Sequence, residues 1–297
     1  MNSIIKWILE DETQEVKYRA LKELLCMKSD AHEVIKAYKG LLASDTVSSI
    51  MDKFKTNNKW EDINAFCALA EIGLTREDVP IDEYLERMIN NMNRSTKCAK
   101  ILLLRNLVLL GYYEHSWVME QIALAFSTVR EDGMVRCLDK SKKRNDSKLP
   151  GMGCYRQSTT YLLLAAELKK IGVILTQFEL LKGLYIDYHV SFRPDDYEKG
   201  IIEEMTETFY PIGHVHIGLN MIMYALTVLG VANHPNCRKA WGLLNSKKDT
   251  EGKYELSKSF DFPYFNVGEV GNANKWVTLY VLLAYEYCKR RQKVYRI

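Results

Sequence analysis

Apolar residues recur with helical spacing from the start of the chain. Val16, Ala20, Leu21, Leu24 and Leu25 share one helix face, and Glu15, Lys17, Lys22 and Glu23 share the other. The same pattern predicts helices over 31–42, 46–55, 63–72, 81–92, 96–110, 117–129, 155–171, 176–188, 215–229, 236–244 and 275–289, with the polar TNNKWED (56–62) joining two of them. Alternating Val, Ile and Thr runs are missing, so strands are not expected. One stretch stands apart: FYPIGHVHIGLNMIMYALTVLGVANHPN (209–236) holds no Asp, Glu, Lys or Arg in a chain that is 27% charged. A helix apolar on every face is enclosed by other helices or spans a membrane. A span needs about 20 apolar residues. The apolar part here, 217–232, is shorter, contains Asn220 and has no second copy, so enclosure is expected and a membrane span is not.

A repeat runs through these helices. ALAEIG (68–73), LVLLG (107–111), ELKKIG (167–172) and ALTVLG (225–230) each end an apolar helix on glycine. That placement predicts a left-handed helix end, which only glycine adopts cheaply. Helix pairs of this kind cannot bury their faces alone and must stack. The expectation is an all-α fold, one domain over residues 1–297, with six helix pairs closed into an (α/α)6 toroid around a central cavity. An open helical solenoid is the alternative; the uncharged helix after Phe209 favours closure. The connections 130–154, 189–214 and 245–274 are much longer than the glycine turns. In a ring they emerge at one mouth, where loops on a rigid scaffold carry binding and chemistry.

Composition narrows the function classes. A net charge of +3 with intermixed signs gives no footprint for nucleic acid or an anionic membrane. Seven scattered cysteines, an odd number, predict reduced thiols in a cytoplasmic protein rather than a disulfide framework. MNSIIKWILEDE is too short an apolar stretch for a signal peptide.

Six segments in this order carry a resemblance: 7–25, VREDGMVRC (129–137), GCYRQSTTYLLLAAEL (153–168), 209–230, LLNSKKDTEGKYEL (243–256) and NKWVTLYVLLAYEYCKR (274–290). Together they resemble the bacterial prenyltransferase- and squalene-cyclase-like α/α-toroid proteins, across nearly the whole chain. REDGMV and KDTEGKYEL are similar to the QxxDGxW turns of terpenoid cyclases and prenyltransferase β chains, with Met134 and Tyr254 read at the aromatic ends. The resemblance implies a zinc ion (Zn2+) held by Cys137, Cys154 and His216: a thiol after the DG turn, one before the next helix, and an imidazole before the one after. Three such ligands leave a position open for substrate thiol or water. Asp139 and His214 stand beside these ligands and, with Arg156, complete the expected catalytic set, Arg156 and His214 binding or polarising an anionic group. The competing reading makes the two cysteines apolar fillers and His216 a hydrogen-bonded core residue.

Other chemistry is weaker. RPDDYE (193–198) lacks the step of a DxDD acid and reads as a helix start. Lys140, Lys142, Lys143, Arg144 and Lys148 could hold a diphosphate but read first as a solvated loop. Asp132, Asp139, Asp195, Asp196, Asp261 and Glu269 offer carboxylate pairs only if two come within about 5–9 Å. Tyr254, Phe260, Phe262, Tyr264 and Phe265 read as a lid anchoring itself, Asn274 as the cap of the last helix. The expected function is a terpenoid cyclase/prenyltransferase-like cavity protein that binds or acts on an apolar or thiol-containing small molecule in the central cavity. The alternatives are a helical-repeat module for a peptide or protein, and a carbohydrate-active toroid using loop carboxylates.

Overall fold

The computed structural model describes residues 3–92, 97–136, 153–212, 217–258 and 264–294. Among them run α1 (Ser3–Ile8), α2 (Gln14–Arg19) prolonged by a π-helical turn (Ala20–Leu24), α3 (His32–Leu42), α4 (Asp45–Phe54), α5 (Lys59–Ile72), α6 (Asp82–Met92) and α7 (Lys97–Leu109). Then come α8 (Ser116–Phe126), α9 (Tyr155–Lys170), α10 (Gln177–Asp187), α11 (Glu203–Glu207), α12 (Leu219–Leu229), α13 (Arg238–Ser246) and α14 (Lys275–Val294). The described residues hold no named strand, only isolated bridges Phe192–Gly200, Lys248–Tyr254 and Glu255–Ala273. The protein is all-α, as the periodicity requires.

The local signals explain most boundaries. Gly73, Gly111, Gly172 and Gly230 all take left-handed φ, from +82° to +91°, at the ends where the repeat places them. Ser44 caps α4 by accepting from the Val47 N–H (3.3 Å), and Asn58 caps α5 by accepting from Trp60 (3.0 Å). That cap corrects one expectation: Lys59–Asp62 open α5 rather than ending a linker. Asn274 caps α14 through Val277 (2.9 Å). The short α1 and α11 escaped the pattern, being too brief to show a period. RPDDYE is not a helix start: Arg193 ion-pairs Asp195 (2.7 Å), Asp196 accepts from the Glu198 N–H (3.1 Å), and the segment folds as a turn closed by the Phe192–Gly200 bridge.

Contacts between helices follow a cyclic order. α2 packs on α5, α5 on α7, α7 on α9, α9 on α12, α12 on α14, and α14 returns to α2 and its π-helical turn. Of the others, α3 packs on α2, α4 and α6 on α5, α8 on α7, α10 on α9 and α13 on α12. Burial follows this division. Every residue of α12 is buried, as are Tyr155 and all of Gln157–Leu168 on α9, whereas α3 buries only Val34, Ala37 and Leu41. Buried apolar residues from Ile8 to Ala284 form one cluster. No described helix is long and apolar enough to cross a membrane.

Candidate functional site

A buried ionic network ties the six cyclically packed helices together. Glu71 on α5 accepts from Arg105 on α7 (2.6 Å) and from the Tyr280 hydroxyl on α14 (2.6 Å). Arg19 on α2 donates to the Glu71 carbonyl (3.1 Å) and the Tyr280 hydroxyl (3.2 Å), and its Nε donates to Glu23 (2.6 Å). Arg105 lies 3.7 Å from Glu167 on α9. Lys170 pairs with Glu167 (2.9 Å) and Glu23 (3.6 Å) and donates to the Tyr224 hydroxyl on α12 (3.0 Å). Tyr224 meets Tyr280 edge to face at 5.8 Å. Three cations face three carboxylates, so the network is neutral in itself.

The network is strongly polarised. Burial alone would raise the Glu71 carboxyl, but Arg105 and Arg19 outweigh it and hold it below its ordinary value. Burial likewise opposes ionisation of Glu23, which Arg19 and Lys170 nevertheless bring to about 2. Burial works against the charges of Arg19, Arg105 and Lys170 as well; their carboxylate neighbours raise all three above ordinary values. Cys67, one turn before Glu71, is pushed up to about 12, first by burial and then by Glu71. Its thiol is therefore protonated and unreactive. The cluster is neutral and its charges face one another, although Glu23 Oε2, Arg105 Nε and Glu167 Oε2 make no hydrogen bond; it reads as structural.

The two DG-like turns are structurally equivalent. Arg130 N–H donates to the Met134 carbonyl and Asp249 N–H to that of Lys253; Gly133 (φ +73°) and Gly252 (φ +86°) occupy the same step. Each turn then docks on the next long helix. Val135 N–H donates to Ser158 Oγ on α9 (3.1 Å), and Tyr254 N–H to Thr278 Oγ1 on α14 (3.0 Å). Cys154 N–H returns to the Val135 carbonyl (2.9 Å) and Asn274 N–H to that of Tyr254 (2.7 Å). The hydrogen bonds therefore align Tyr254 with Val135, not with Met134 as the motif comparison had it.

Glu204 gathers the long connections. It accepts from Lys258 (2.7 Å) and the Tyr210 hydroxyl (3.0 Å), and Arg156 of α9 approaches its second oxygen at 3.4 Å. The hydrogen bond from Lys258, followed by that from Tyr210, outweighs burial and brings the Glu204 carboxyl to about 2. Segments 203–210 and 254–258 thus meet at Glu204, beside the first turn of α9, and 130–136 docks on that same turn through Ser158.

Of the six residues the sequence nominates, Cys154 and Arg156 can be placed. Cys154 is buried at the residue preceding α9, and Arg156, in the first turn of α9, reaches Glu204. Cys137, Asp139, His214 and His216 lie outside the described residues, as do Lys140, Lys142, Lys143, Arg144, Lys148, Phe260, Asp261 and Phe262. Among the described residues no group of three or more His, Cys, Asp or Glu could hold a metal ion, and Cys26, Cys67, Cys98, Cys154 and Cys237 form no disulfide. Asp132, Asp195 and Asp196 are each engaged by a cation of their own loop: Arg130, Arg193 and Lys199. A surface cleft of about 450 Å³ lies between α13 and the 192–207 segment, with Lys239 poised 4.6 Å over the Phe192 ring. Sequence reasoning missed the ionic network, although Glu71 and Glu167 sit inside the repeated ALAEIG and ELKKIG. An acid in the last turn of a helix opposes the helix dipole and calls for a cation nearby.

Comparison of the chain with protein-family models, with curated proteins and with solved structures yields no match.

Proposed function

We propose that the six cyclically packed helices form the inner wall of an (α/α)6 toroid, and that the protein is a cavity protein of the prenyltransferase- and squalene-cyclase-like kind. The observation that carries this reading is the return contact of α14 on α2, joined through Tyr280, Arg19 and Glu71. An open solenoid has no reason to bring its last helix against its first. In a ring of hairpins the short glycine turns fall at one end and the long connections at the other. Glu71, Arg105, Glu167 and Lys170, all late in their helices, then seal the glycine-turn end as a floor. The opposite end, where Glu204 draws the long connections together, is the mouth through which a small molecule enters.

In this reading the ligand is an apolar or thiol-containing small molecule. Zinc would be held by Cys137, Cys154 and His216 and would supply Lewis acidity or a thiolate-binding position. Of these three, Cys154 is the member among the described residues, buried immediately before α9. Arg156, kept at the rim by Glu204, is the described cation best placed to meet an anionic group, with His214 and Asp139 as its expected companions. The test is elemental analysis and native mass spectrometry of protein purified without a histidine tag. The reading expects about one zinc per chain, lost in Cys154→Ser, together with a retained small molecule. Metal-free protein, unchanged by Cys154→Ser, would remove zinc from the account while leaving the ring to be tested separately.

A further inference from the structure

Three buried polar side chains lie beyond the ionic floor without a full set of partners. Gln157 on α9 is fully buried, and neither Oε1 nor Nε2 makes a hydrogen bond. Its amide lies close enough to the Tyr161 hydroxyl to influence it, without hydrogen-bond geometry. Asn220 on α12 is fully buried; its Nδ2 donates to the Tyr210 carbonyl (2.9 Å) and its Oδ1 accepts nothing. Trp276 on α14 is 2% exposed and its Nε1–H has no acceptor. Leaving such groups unpaired costs free energy that a core position could avoid with Leu, Met or Phe.

Their placement is coherent. They are the third, second and second residues of three helices that follow one another in the cyclic series. Each shares a helix face with a floor residue. Asn220 precedes Tyr224 by four positions and Trp276 precedes Tyr280 by four, while Gln157, Thr160, Leu164 and Glu167 form one stripe. The residues before α9 and α12, Cys154 and Gly218, supply no side-chain cap, so the positive ends of both helices add to the same level.

We propose that Gln157, Asn220 and Trp276 form a binding subsite for the carboxamide head of a neutral small molecule. This deepens the closed-ring reading and rests on it. The unused donors are the Trp276 indole N–H and the Gln157 amide N–H groups; the unused acceptors are Gln157 Oε1 and Asn220 Oδ1. A carboxamide meets both sets, its carbonyl accepting from Trp276 and Gln157 and its N–H donating to Asn220. A carboxylate offers nothing to the two acceptors, and an ammonium faces two helix N-termini.

The experiment follows the Trp276 indole resonance in the 15N-labelled full chain, assigned by its loss in Trp276→Phe, during titration with N-acetylglycinamide. A saturable shift is expected, absent with tetramethylammonium. Calorimetric affinity for the same probe should fall at least tenfold in Gln157→Met and in Trp276→Phe. Gln157→Met, which replaces an unpaired amide by an apolar chain of similar size, should also melt higher than the parent. An indole peak that does not move, or a Gln157→Met chain that melts lower, overturns the proposal. Energetic coupling between Glu71 and Tyr280, measured on the same preparations, separates the outcomes: retained coupling with a silent probe rejects the subsite alone, and lost coupling rejects the ring beneath it.

Discussion

The Tyr280 hydroxyl donates to Glu71 at 2.6 Å across 209 residues of sequence. It joins the last helix of the cyclic series to an early one, and Arg19 bonds both partners, which brings in the first helix as well. Glu71 is fully enclosed, so its charge has no compensation from water. Its neutralisation depends on Arg105, Arg19 and Tyr280, contributed by three different helices. The pairing is therefore a condition imposed on the arrangement of helices more than a source of net stability.

Acid should unfold the protein through this network. Glu23 has an ordinary carboxylate value of 4.5 when exposed and about 2 in the folded chain, and Glu71 is shifted in the same direction. A depressed folded value means that the stabilisation is complete above pH 4.5 and disappears as pH falls from there towards 2. At ~1.4 kcal/mol per unit, Glu23 contributes about 3 kcal/mol at most. Urea midpoints should hold steady from pH 7 to 5 and drop steeply below 4.5, with a shallower drop in Glu23→Gln. A midpoint independent of pH between 5 and 3 would contradict this.

Removing one charge from the buried network should cost more than removing a surface pair. Arg105→Met leaves Glu71 and Glu167 without their shared cation, and a loss of ~3–5 kcal/mol is expected from chemical denaturation. Lys55→Met, at an exposed pair with Asp52, should leave the denaturation midpoint almost unchanged.

Two glycines separate conformational strain from crowding. Gly172 has φ +85° and open space where a Cβ would go, so Gly172→Ala should cost only the left-handed penalty of ~1–2 kcal/mol. Gly133 has φ +73°, and a Cβ there would stand 2.3 Å from the Leu180 carbonyl oxygen and 2.8 Å from Leu184 Cβ. Gly133→Ala should lose a further ~1–3 kcal/mol, read as a lower urea midpoint than that of Gly172→Ala.

Glu204 should act on the loops rather than on global stability. Glu204→Gln removes the charge that Lys258 and Arg156 share. Because the site is partly exposed, melting should change little. Amide exchange in 204–212 and 254–258 should speed up, together with proteolytic nicking of the same segments. Unchanged exchange there would show that the loops are held by other contacts.

The helices were legible because each carries its own period, and Gly73, Gly111, Gly172 and Gly230 because a left-handed helix end demands a specific residue. The docking of both DG-like turns was half legible. Gly133 and Gly252 marked the turns, but Ser158 and Thr278 resemble any buried hydroxyl until the backbone N–H they accept is located. The buried ionic network was hidden for a different reason. Arg19 and Glu23 are four apart and read as an ordinary surface pair, while the partners of Glu71 and Glu167 lie on other helices, so neutralisation exists only after packing. The orphaned atoms of Gln157, Asn220 and Trp276 are likewise a property of packing, since a polar residue near a helix start normally reads as a cap.

The most direct measurement of ring closure is a double-mutant cycle on Glu71→Gln and Tyr280→Phe, followed by urea unfolding at pH 7. The closed ring predicts that the two changes couple by about 1–3 kcal/mol. Losses that add to within ~0.5 kcal/mol would mean that α5 and α14 do not meet through these side chains, and the closed floor, with the mouth opposite it, would not stand.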